Sequence, residues 1–159
     1  NCGGYESLLA LGLLRGKIDV YLPDLKYSDT ADAVRLSSLP DYFSRARDAI
    51  REMYRQVGRP VFSENGRLLR GVMIRHLVLP GYLENTFDVL DWIARSFAPG
   101  EVLLSLMSQF TPNNAGEPSR KLTAREYSRA VDYANAIADF EGYFQDPDAA
   151  GDGYVPRFS

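Results

Sequence analysis

A charged residue inside an apolar strand is a place where chemistry can be built, and Arg75 is such a residue. It stands in Arg75-His76-Leu77-Val78-Leu79-Pro80-Gly81, which reads as a buried strand broken off by Pro-Gly. Burying an unpaired guanidinium is costly, so Arg75 requires an anionic partner or a wet cavity. At the end of a parallel strand that cavity is often the active site. A second charged strand end is Leu22-Pro23-Asp24-Leu25-Lys26. Alternation puts Asp24 and Lys26 on one face of the extended chain, flanking Leu25. Asp24 can there bind a cation or orient a ligand ammonium, and Lys26 can hold a carboxylate or phosphate. The competing readings are structural: an Arg75 paired with a neighbouring carboxylate, and a surface Asp–Lys pair worth little. Two such ends imply one polar pocket at one rim of an α/β sheet.

Within the Arg75 strand, Met73, Arg75 and Leu77 share one face and Ile74, His76 and Val78 the other. His76 is the only histidine, so no multi-histidine metal site can form, and no nucleophile-elbow pattern accompanies it. Its face suits a packed, hydrogen-bonded imidazole under the helices. Asn1-Cys2-Gly3-Gly4 reads as another strand end whose small residues admit a ligand to the backbone, or else as a turn into the first helix. Cys2 is the only cysteine and has no basic partner nearby, which suits a passive small residue. Ser108 and Gln109 follow the last expected strand and can bond a ligand or satisfy their own loop.

The elements that must position these residues follow from pattern. Glu6 to Leu14 reads as a short apolar helix closed by Gly16, and Lys17 to Leu22 as a strand with Ile18, Val20 and Leu22 on one face. A short helix is expected after Asp29, and a longer one capped by Asp41, running to Val57 and stopped by Gly58. Its buried stripe is Phe43, Ala46, Ile50, Met53 and Val57. Pro60 to Leu69 reads as a hairpin turning at Asn65-Gly66, where both residues tolerate positive φ. Val72 to Leu79 is a strand. Asn85 is expected to cap the next helix, with Asp88 near its positive end and Phe87, Leu90, Ile93, Ala94 and Phe97 inward. Val102 to Met107 is a further strand. Thr123-Ala124-Arg125-Glu126 matches a capping box and opens the last helix. Strands alternating with helices imply parallel βα units. The fold class is therefore α/β: parallel strands with an inserted β-hairpin over residues 1–145, then a loosely ordered tail over 146–159.

The 159 residues carry 18 Lys plus Arg against 21 Asp plus Glu, a net charge of −3. That balance gives no reason to expect nucleic acid or an anionic membrane as partner. No apolar run approaches the roughly 18 residues of a membrane span, and no secretory signal is evident. One cysteine excludes an intramolecular disulfide and an all-cysteine metal site built from this chain alone. A cytoplasmic location is expected.

Several segments, in this order, resemble the C-terminal part of radical S-adenosylmethionine proteins of the pyruvate formate-lyase activating enzyme group. They are Asn1-Cys2-Gly3-Gly4-Tyr5-Glu6, Tyr21 to Tyr27, Met53 to Gly58, Arg75 to Gly81, Leu106 to Pro112 and the closing Tyr154-Val155-Pro156. The resemblance implies the C-terminal part of a partial (β/α)6 TIM-like barrel. In that family a 4Fe–4S cluster, held by a Cys-x3-Cys-x2-Cys loop, binds S-adenosylmethionine and cleaves it reductively to a 5′-deoxyadenosyl radical. By resemblance, Asp24 helps bind a monovalent cation beside the methionine carboxylate and Lys26 neutralises that carboxylate. Arg75 lies near a substrate peptide and Leu77 flanks the nucleoside. Asn1 takes the place of a cation-binding aspartate, keeping an oxygen ligand without its charge. Gln109 lies in the region where activating enzymes carry a histidine. The implied partners are the N-terminal half of the same protein, a glycyl-radical enzyme and a flavodoxin- or ferredoxin-type reductant. The cluster loop is absent from these residues and the chain starts at Asn1 rather than Met, so it reads as a piece of something longer and is expected to be inactive alone. The alternatives are a degenerate barrel that binds a ligand or protein without redox chemistry, and a sugar-phosphate barrel enzyme, for which no Gly-rich phosphate loop is present.

Overall fold

A computed structural model describes residues 1–112 and 116–145. In chain order the elements are α1 (Leu8–Leu14), β1 (Val20–Tyr21), α2 (Thr30–Ser37), α3 (Tyr42–Val57), β2 (Val61–Phe62), β3 (Leu68–Leu77), α4 (Leu83–Ser96), β4 (Leu103–Met107), α5 (Ala124–Ile137) and β5 (Gly142–Phe144). The expected tail over 146–159 lies outside the described residues.

The protein is α/β, with helices packed on a largely parallel sheet. Strands β1, β3, β4 and β5 are neighbours in that order and all parallel. Each parallel step needs a crossover, and α4 and α5 supply the last two. Strand β2 joins β3 antiparallel through the expected hairpin, where Gly66 has φ +74°. Single bridges extend the ladder at its site end: Cys2 lies beside Pro23 and Asp24 beside Arg75.

Alternation along β3 divides the molecule. Val72, Ile74 and His76 are fully buried, while Met73, Arg75 and Leu77 are only partly so. Val72 and Ile74 share a core with Ala46, Ile50 and Met53 of α3 and with Leu90 and Ile93 of α4. A smaller core joins Val78 and Leu106 to Tyr127 and Ala130 of α5.

Several expected details changed. Strand β1 is short, and in it Tyr21 turns inward, its hydroxyl donating to Gln56 Oε1, while Ile18, Val20 and Leu22 lie on the half-buried face. Asp41 stands at the start of α3 but makes no side-chain cap, since its carboxylate accepts from Tyr5 and Arg45. Asn85 is not a cap either. Helix α4 begins three residues earlier than such a cap would place it, with Tyr82 at the cap position, and Asn85 is buried in its first turn. Strand β5 was not expected; its three residues are too few to show a period. Thr123 and Glu126 do form the capping box.

Candidate functional site

The rim of the sheet where β3 and β4 end holds a cleft of about 270 Å³. It is lined by Asp24, Lys26, Tyr27, Arg75, Leu77, Leu79, Met107 and Phe110. Residues 51 positions apart in sequence meet there because Asp24 continues the β1 strand and pairs in parallel with Arg75. Asp24 N–H donates to the Cys2 carbonyl, Arg75 N–H to that of Pro23 and Leu25 N–H to that of Arg75.

Arg75 is held by two oxygen partners. Its Nε donates to Asp24 Oδ1 at 2.8 Å, and Nη2 reaches the same oxygen at 2.6 Å. Nη2 also donates to Asn1 Oδ1 at 2.6 Å. Nη1 has no protein partner among the described residues. Lys26 Nζ stands 3.9 Å from Asp24 Oδ2. The side chains of Arg75 and Asp24 are 25% and 22% exposed and that of Lys26 is 46% exposed. This is a charged cluster on a wet wall and not a buried ion pair, so its members can exchange protein partners for ligand at modest cost. Opposite charges lie within 4 Å on one side, with aliphatic and aromatic carbon on the other. Such a surface suits a zwitterionic amino-carboxylate attached to an apolar or planar group.

Of the expected site residues, Asp24, Lys26, Arg75 and Leu77 line this cleft, and Asn1 joins it through Arg75. Gln109 is not among the lining residues; its neighbour Phe110 is. Ser108 is tied to the residue after β5, as its N–H donates to Gln145 Oε1 at 3.0 Å. Gly4 is small for a reason other than ligand access: with φ +82°, a Cβ there would collide with the Asp24 carbonyl oxygen. Burial and the nearby Glu6 carboxylate push the Cys2 thiol up to about 11, so it is a poor nucleophile.

His76 lies on the dry side of β3. Its Nδ1–H donates to the Leu25 carbonyl at 2.6 Å, and Nε2 accepts from the Thr86 hydroxyl at 3.0 Å. Burial lowers its pKa to about 4, so the ring is neutral at pH 7. Tyr27, Leu79, Met107 and Phe110 were not expected in the site. Their apolar spacing is also that of a core, and only the position of the strand ends distinguishes the two.

Among the described residues, no group of three or more His, Cys, Asp or Glu could hold a metal ion. None of the described helices is long and apolar enough to cross a membrane. No protein-family model matches the chain. It is 27% identical over 141 residues to an uncharacterized protein of Methanocaldococcus jannaschii, a match covering 84% of this chain. The chain spans about a third of that relative's length, 36%.

Proposed function

We propose that this chain forms the S-adenosylmethionine-binding wall of a radical S-adenosylmethionine enzyme related to glycyl-radical activating enzymes. The observation that carries this reading is the convergence of Asp24, Lys26 and Leu77 from two strand ends on one cleft. The parallel strands follow chain order across the sheet. Such an order occurs within an arc of a (β/α) barrel, as within one half of a doubly wound sheet, and the proposed reading is the arc of a partial (β/α)6 barrel.

The amino-carboxylate and nucleoside of the cofactor fit the lining residues. Lys26 would pair with the carboxylate. Asp24 would orient the ammonium or a monovalent cation beside it, with Asn1 Oδ1 as a neutral oxygen nearby. Leu77, Met107 and Phe110 would cover the nucleoside and exclude water. Arg75 fixes one Asp24 oxygen and keeps Nη1 for a substrate carbonyl. S-adenosylmethionine held here would be a source of radical chemistry only where a 4Fe–4S cluster and an electron donor are supplied from outside this chain. The cluster itself does not fit on this chain, which has one cysteine. In this reading its ligands, the reductant and the glycyl-radical target would come from outside these 159 residues.

The test is calorimetric titration of the chain with S-adenosylmethionine and S-adenosylhomocysteine. Binding of both, weakened about tenfold or more by Lys26→Ala, is expected. Absence of binding by the unaltered chain defeats the reading. The single cysteine favours a second reading, a ligand-binding module without redox chemistry. A Cys-x3-Cys-x2-Cys loop in the longer polypeptide supports the enzyme, and its absence supports the module.

A further inference from the structure

The sheet ladder stops short of the residue that matters most in the cleft. On the Arg75 side its last bond into this segment is Leu25 N–H to the Arg75 carbonyl. Beyond it the chain leaves β3, and an extended segment without ladder partners should be mobile. Here the backbone polar groups are taken up by buried side chains from three elements. Lys26 N–H donates to the Tyr42 hydroxyl at 3.0 Å. That hydroxyl lies 2.8 Å from the Asp24 carbonyl and 3.0 Å from that of Gly3, so it also anchors the Asn1 segment. His76 Nδ1–H donates to the Leu25 carbonyl. Asn85 Nδ2 donates to the Lys26 carbonyl at 2.9 Å, and its Oδ1 accepts from Ser28 N–H at 2.7 Å.

We propose that Tyr42, His76 and Asn85 are positioning residues, which hold the Asp24 and Lys26 side chains in the cleft by clamping the backbone of residues 24–28. The inference deepens the proposed function and rests on that reading for its ligand, but the clamp itself is a property of the free protein. None of the three lines the cleft. Each side chain is buried, at 1% exposure for Tyr42, 0% for His76 and 5% for Asn85; the His76–Leu25 bond is enclosed and the others are partly so. Together they meet the Lys26 and Ser28 N–H groups and the Leu25 and Lys26 carbonyls, and the one Tyr42 hydroxyl proton serves the Asp24 or the Gly3 carbonyl. The placement explains why Asn85 sits inside α4 instead of capping it: an amide offers a donor and an acceptor together, which the Lys26 carbonyl and Ser28 N–H require.

The experiment compares Tyr42→Phe and Asn85→Ala with Tyr21→Phe, a control. Tyr21→Phe also removes a tyrosine hydrogen bond, to Gln56, but away from the cleft. Two readouts are taken. The first is the Arg75 Nε–H resonance of the ligand-free chain, which reports the Asp24 contact. The second is the Kd for S-adenosylmethionine. Tyr42→Phe is expected to shift or broaden the Arg75 signal and to weaken binding about tenfold. Tyr21→Phe should leave both as they were while lowering Tm to a similar extent. Asn85→Ala provides the same comparison should Tyr42→Phe not fold. An unchanged Arg75 signal in a folded clamp variant overturns the inference, as does an altered signal with unchanged Kd. If the unaltered chain binds no S-adenosylmethionine, the cofactor reading fails, and the Arg75 signal alone decides whether the clamp exists.

Discussion

The two faces of β3 carry opposite solutions to the same problem, a polar side chain in an apolar strand. Arg75 and His76 are adjacent in sequence and point to opposite sides. Arg75 stays charged on a wet wall, paired with Asp24 and bonded to Asn1. His76 is fully buried and neutral, with both ring nitrogens satisfied. On the dry side a charge would meet the full desolvation cost, so hydrogen bonding to a neutral ring is the affordable arrangement. On the wet side, charge can be kept for a ligand. The candidate site lies on the half-buried face, and the buried face packs beneath it.

The comparison can be broken most forcefully through packing. Ile74→Ala on the buried face should cost about 4 kcal/mol in urea unfolding, because a fully enclosed side chain leaves a cavity. Met73→Ala, one residue away on the half-buried face, should cost about a quarter of that. Equal losses would show that the two faces are not distinct.

Acid should act on the dry face next. His76 has a folded pKa of about 4, lowered by burial, against an ordinary value of 6.5. The unfolded chain therefore binds this proton first, and stability falls as pH drops from about 6.5 toward 4. The full loss from this group is about 3 kcal/mol. The bond to the Leu25 carbonyl, and after it the Asp24 charge, oppose that lowering without cancelling it. Urea midpoints across this range should fall less steeply in His76→Gln, whose amide can keep both bonds. Parallel pH profiles in the two proteins would remove His76 as the cause.

The wet face should respond least. Arg75→Met should lower stability by about 1 kcal/mol, since the Asp24 carboxylate it leaves is partly exposed. A loss as large as that of Ile74→Ala would mean that the pair is structural and the cleft wall is closed.

Much of this was legible in local pattern. The two faces of β3, the Asn65-Gly66 turn, the α3 stripe and the Thr123–Glu126 capping box each depend on residues a few positions apart. Asp24, Lys26 and Arg75 were legible as site candidates because charge at an apolar strand end is conspicuous. Asn85 was misread since its residue type is a good cap, and its true partners, Lys26 and Ser28, are 59 and 57 residues away. Phe110 and Met107 were missed because apolar side chains give the same signal in a core and in a cleft wall. Strand β5 was too short to signal its own pairing with β4.

The sequence by itself determined which side chains share a face, where α3 stops and α5 starts, and that two charged strand ends exist, because these rest on backbone geometry and periods of two or 3.6 residues. Only the tertiary structure decided that Asp24 meets Arg75, that Tyr42 and Asn85 tether the segment between β1 and α2, and which apolar residues line the cleft. Those facts depend on strand order and on which backbone groups lack ladder partners, and neither is written in any local stretch of the chain.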